Sequence, residues 1–132
     1  MTLSKKPNIV FLILDSLRYD RLTHNGYSKA ISPHLDALAQ KSLLFKNAVG
    51  SAPWSVPSHA SLFTGLFPSE HGATDENLFL DKSIPTIATL LNEQHYKTVS
   101  IALSNAWISQ QTTNLTNGFQ QEFTKRRDAV KA

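Results

Sequence analysis

The run Asn8-Ile9-Val10-Phe11-Leu12-Ile13-Leu14 constrains this chain more than any other stretch. It is unbroken in apolar character after Asn8, rich in β-branched and aromatic residues, and too short to cross a membrane. Such a run suits a strand covered on both faces, which is the setting of a parallel sheet between layers of helices. It stops at Asp15, and ligands of open α/β sheets bind beyond the carboxyl ends of strands. Asp15 therefore stands where function is expected. Position alone fits equally a carboxylate that caps the following turn.

The remaining elements fit the same architecture. Ser32-Pro33 reads as the opening of a helix, with Leu35, Leu38 and Ala39 at helical spacing toward a sheet. Residues 43–49 are mixed and fit a short strand. Pro85 opens another helix, with Ile87, Leu90 and Leu91 on one face. Residues 96–103 alternate in part and read as a second main strand. Residues 104–123 look loop-like around an Asn117-Gly118 turn, and the charged tail 124–132 reads as helical. Strands separated by helical crossovers predict an α/β fold with a mostly parallel sheet flanked by helices.

Bulk properties narrow the function classes. With 132 residues the chain is at most one domain, and 41% hydrophobic against 17% charged residues is a globular balance. The net charge of +3 gathers at Lys5-Lys6 and Lys125-Arg126-Arg127, which read as solvated ends. No basic stripe or known module points to nucleic acid. No cysteine is present, so neither a disulfide framework nor a thiolate metal site is available. The first apolar run lacks a cleavage site after it, so the expectation is a cytoplasmic chain that begins with a core strand and has no membrane partner. No Gly-rich turn follows that strand, which argues against a dinucleotide.

The chemistry concentrates in Pro53-Trp54-Ser55-Val56-Pro57-Ser58-His59-Ala60-Ser61-Leu62-Phe63-Thr64-Gly65. A proline suits the first turn of a helix, and Gly65 suits a left-handed end. The first backbone N–H groups of a helix are unpaired and attract anions. Ser55 thus stands where a sulfate or phosphate would bind, and equally where an ordinary N-cap would. His59 reads either as part of that site or as a polar residue on the helix flank. Trp54 fits a pocket wall or core packing, and His71 reads as a loop histidine.

Ser55-Val56-Pro57-Ser58-His59 with Leu62-Phe63-Thr64-Gly65 resembles the signature of the sulfatase family, within the alkaline phosphatase superfamily. The family pattern is Cys or Ser, any residue, Pro, a small residue, Arg, two further residues, two apolar residues, Thr and Gly. The likeness continues through Leu14-Asp15-Ser16, Ser32-Pro33-His34-Leu35-Asp36, Phe45-Lys46-Asn47-Ala48, Pro68-Ser69-Glu70-His71-Gly72 and Ser83-Ile84-Pro85-Thr86. It covers nearly the whole chain, in order. What it implies is the N-terminal part of an alkaline-phosphatase-like α/β domain, over residues 1–132, and hydrolysis of sulfuric esters. It further implies catalytic roles for Ser55 and His59 and a divalent-cation site that includes Asp15, Ser16 and Ser55. Ca²⁺ is the expected ion, with Mg²⁺, Mn²⁺ and Zn²⁺ as alternatives, since a hard cation takes oxygen ligands. The substrate implied is a small-molecule or glycan sulfate ester.

Two positions depart from the pattern. Ser16 stands where the family has a second aspartate, and His59 where it has arginine. In the family the Cys or Ser becomes formylglycine, and the change at His59 argues that Ser55 stays serine. An unmodified Ser55 opens a second reading, phosphoester hydrolysis or transfer. The family's catalytic domain is several times longer, and its later ligands and acid/base groups lie beyond the matched segments. That gives a third reading, a non-catalytic folding or binding module. An incomplete α/β layer also predicts self-association through exposed apolar surface.

Overall fold

The computed structural model describes residues 6–102, 105 and 107–124. These fall into two compact units, Met1–Ala48 and Val49–Ala132.

In the first unit residues 6–14 form no strand, and their side chains are half-buried or exposed; Val10 is 88% exposed. The apolar run was expected to be a buried strand, and it is not one here. A strand exists only when a neighbouring strand takes its backbone N–H and C=O groups, and the described two-stranded sheet, Val99–Ala102 with Gln121–Thr124, does not include this run. Residues 43–49, a second candidate strand, are likewise exposed and unpaired with any strand. Two short 3₁₀ turns, Tyr19–Arg21 and Thr23–Asn25, lead to helix α1, Pro33–Ala39.

Pro33 begins α1 as expected, but Ser32 makes no cap bond to the helix backbone. Its hydroxyl donates instead to the Asp36 carboxylate at 3.3 Å. Asp36 also accepts from the backbone N–H of His24 at 3.2 Å and meets the His24 ring Nδ1 at 2.9 Å. This polar clasp ties the 3₁₀ turns to α1. Leu38, expected to face a sheet, is exposed, and no described side chain of this unit is fully buried. Leu14, Leu17, Leu22, Ile31, Pro33 and Leu35 line an apolar groove of about 350 Å³.

The second unit has a core. Helix α2 spans Ser55–Thr64, α3 Pro68–His71 and α4 Ile87–Glu93; strands β1, Val99–Ala102, and β2, Gln121–Thr124, pair in parallel. Val56, Ala60, Phe63, Leu80, Ala88 and Leu115 are buried. The Phe63 and Phe119 rings meet edge to face, with centroids 6.1 Å apart. In α4 the buried residue is Ala88, while Ile87 and Leu90, expected on the core face, are exposed. Thr86 caps α4, its hydroxyl accepting from Thr89 N–H at 3.3 Å and donating to the Asn117 carbonyl at 2.6 Å. That bond seats the Asn117-Gly118 turn on the start of α4.

β1 lies within the expected strand at 96–103. β2 falls in the stretch read as loop, because Gln-Glu-Phe-Thr carries no run of strand formers. The register pairs Val99 with Gln121 and Ala102 with Thr124. The mixed helix and parallel-strand arrangement agrees with the expected α/β class. The helical tail foreseen over 124–132 begins at Thr124, which is the end of β2; the remainder lies outside the described residues. No helix among the described residues is long and apolar enough to cross a membrane.

Candidate active site

Helix α2 positions the central serine. Trp54 is its N-cap, with an extended backbone at φ −145°, and Ser55 is the first helical residue. The Trp54 carbonyl accepts from Ser58 N–H at 3.3 Å, which closes the first turn around the serine. Pro57, in that same turn, has no N–H to leave unpaired. The helix ends as its sequence predicts. Gly65 is left-handed at φ 73°, and its N–H donates to the Ser61 carbonyl at 2.8 Å.

Val56 and Pro57 are buried, so the start of α2 is fixed against the core while Ser55 stays half-buried. The N–H groups of the first turn and the serine hydroxyl share one end of the helix. The partial positive charge there favours an anion or a developing oxyanion.

His59 is 6% exposed and sits one turn after Ser55. Its Nδ1–H donates to the Ser55 carbonyl at 2.7 Å, and its ring meets Phe63 edge to face at 6.1 Å. A neutral ring held this way keeps its lone pair on Nε2. The pair Ser55 and His59 is thus brought together, through the serine's backbone.

Asp15 and Ser16 lie together in the first unit, in the turn where Leu17 N–H donates to the Leu14 carbonyl at 3.2 Å. Ser16 adopts φ 65°, a left-handed conformation uncommon for a residue with a Cβ. Among the described residues no group of three or more His, Cys, Asp or Glu side chains could hold a metal. One carboxylate and one hydroxyl fall well short of the six to eight oxygens that Ca²⁺ takes.

The residue that sequence reading undervalued is His71. It is 2% exposed. The Ala73 N–H donates to its Nδ1 at 3.0 Å, and its Nε2 meets Ser61 Oγ at 3.0 Å. Burial pushes its pKa below the usual histidine value. With Nδ1 already accepting, the neutral ring carries its proton on Nε2 and donates to Ser61. It therefore cannot serve as a base toward Ser61. Proline at 68 and glycine at 72 were the available signal for a short helix delivering this ring.

The sulfatase family profile matches residues 7–131. Over 100 residues the chain is 34% identical to an N-acetylgalactosamine-6-O-sulfatase of Bacteroides thetaiotaomicron, covering 72% of this chain and 20% of that protein. It is 37% identical over 93 residues to an ulvan-active sulfatase of Formosa agariphila, covering 70% and 18%. A human N-sulphoglucosamine sulphohydrolase is 43% identical over 69 residues, covering 52% and 14%. The chain thus spans about a fifth of the length of the curated relatives it matches. No solved structure matches.

Proposed function

The chain belongs to the sulfatase family, and from that premise we propose that it is the nucleophile-bearing part of a sulfuric ester hydrolase, with Ser55 as the nucleophile. The observation that carries this reading is the place of Ser55: first residue of a helix whose opening turn is anchored in the core by Val56 and Pro57, at the positive end of the helix dipole. The relatives' names include enzymes of sulfated glycans, which supports a sulfate ester on a sugar or small alcohol as substrate.

In this reading the residues divide the work simply. The first turn of α2 binds the ester's peripheral oxygens and offsets the charge that builds on them. The Ser55 side chain supplies the attacking oxygen. If it is converted to formylglycine, the hydrated aldehyde supplies that oxygen. His59 holds the first turn through the Ser55 carbonyl and presents Nε2 as an acceptor. We assign Asp15, Ser16 and Ser55 as a partial contribution to a dication site; these residues alone do not complete it, and a bound dication would offset the charge of the ester oxygens.

A second reading is phosphoester hydrolysis or transfer by unmodified Ser55. What favours it is His59, whose ring bonds to the backbone where the family pattern has the forked, permanent cation of arginine. Aryl sulfate and aryl phosphate esters, each with and without added dications, separate the readings. A serine hydroxyl is a weak nucleophile without a base or metal, so the expected result for these 132 residues alone is no turnover of either ester. Aryl sulfate turnover lost in Ser55→Ala would establish the serine and overturn the partial site. Aryl phosphate turnover lost in the same variant would favour the second reading.

A further inference from the structure

We propose that His71 is a positioning residue for helix α2: as a neutral ring it latches the helix to the turn after α3, and a second proton opens the latch. The proposal rests on the assignment of Ser55 only for what the latch positions. Its geometry stands by itself.

The ring sits between two backbone segments. On one side Ala73 N–H donates to Nδ1 at 3.0 Å. On the other, Nε2–H meets Ser61 Oγ at 3.0 Å, and the Pro57 carbonyl also lies within reach of the ring. Pro57 and Ser61 are one turn apart, so His71 grips α2 along one face. Ala73, Val56 and Ala60 are each 0% exposed, and His71 itself only 2%. The ring is therefore shut off from bulk water.

A doubly protonated ring carries N–H on both nitrogens. Its Nδ1–H would point at Ala73 N–H, two donors facing each other at the 3.0 Å now spanned by a hydrogen bond. The bond to Ala73 is lost, and α2 is freed from the turn. Burial opposes the second proton, while the Pro57 carbonyl and Glu70 favour it. Glu70 is on α3 itself, with Oε2 accepting from Phe67 N–H at 2.8 Å. On α2 the other titratable group is His59, held at the Ser55 carbonyl. After Gly72, Asp75 and Glu76 are exposed. The consequence is that the geometry around Ser55 depends on the charge of a residue one helix away.

The test uses the full chain and no ester, so it reads independently of the sulfatase assignment. Ring ¹⁵N NMR near pH 7.5, about one unit above an ordinary histidine pKa, should show the proton on Nε2 and a bare Nδ1. Amide hydrogen exchange should then show the protection of residues 58–63 falling relative to residues 90–93 as pH drops below about 6.5, by at most about tenfold per unit. His71→Gln should abolish that step. Should that variant not fold, His71→Asn replaces it, since its amide oxygen can accept from Ala73 N–H and does not titrate. A proton on Nδ1 near neutral pH, α2 protection that tracks α4 across the range, or the same step in the variant overturns the proposal.

Discussion

The two units of this chain invert what their sequences suggest. The first holds the longest apolar run, residues 9–14, and no described side chain in it is fully buried. The second is more polar in its key stretches, yet it buries Val56, Ala60, Leu80, Ala88 and Leu115 together with Thr86, Thr113, Asn114 and Thr116. Apolar character states what a segment requires, and partners decide whether it obtains it. The second unit has its partners within reach: α2 against α3, and the Asn117-Gly118 turn against α4. The first relies on the His24–Asp36 clasp, which orders turns without building a core.

The sharpest way to break this contrast is a pair of substitutions. In the second unit, a Cβ at Gly118 would run into Thr89 Oγ1 and lie 2.7 Å from Thr89 N, at φ 87°. Gly118→Ala should cost about 3 kcal/mol or more, since backbone as well as side chain must move. Leu115→Ala, at a fully buried site, should cost about 2–5 kcal/mol. Val10→Ala in the first unit should change stability by less than about 0.5 kcal/mol. Urea unfolding measures all three. A large loss for Val10→Ala would mean that the run is buried in solution.

The units should also part company in acid. His71 has its folded pKa lowered chiefly by burial. Its contribution is complete above the unfolded value near 6.5 and is lost as pH falls through that value toward the folded one, because the unfolded chain takes the proton first. Asp36 is also lowered, chiefly by its hydrogen bond with His24. Its contribution is present above an ordinary aspartate pKa of about 3.9 and is lost as pH falls through the lower folded value. Carboxylate and amide NMR signals followed from pH 7 to pH 3, a span that covers both ordinary values, should show residues 56–73 loosening before the clasp. The reverse order would contradict the contrast.

How much of this was legible in the sequence follows the same division. Helix α2 was, because proline in its first turn and glycine after its last are local signals that need no partner. So was β1, a run of strand formers. β2 was not, since Gln121 and Glu122 say nothing of the parallel neighbour that recruits them. The run at 9–14 was read as a strand on a pattern that identifies a need for burial and not the chain that supplies it. His71 looked like a loop residue because its two partners, Ser61 and Ala73, lie on separate segments. At the site, the sequence marked Ser55 and His59 by family resemblance, and the bond joining them is visible only in the fold.

Smaller effects test the first unit by itself. Ca²⁺ binding by calorimetry should be weak, and weaker in Asp15→Ala; tight binding that survives the substitution would remove Asp15 from the assignment. Light scattering should find association at high concentration, driven by exposed side chains such as Val10 and Phe45. A monodisperse monomer would indicate that the run has found cover.

The central claim is that the start of α2 receives the reacting group. Titrating the ¹⁵N-labelled chain with inorganic sulfate, and separately with phosphate, tests it most directly. The account predicts amide shifts concentrated at Ser55, Val56 and Ser58, with residues 90–93 of α4 unchanged. Shifts centred elsewhere, or the same shifts around α2 from chloride at equal ionic strength, would contradict it.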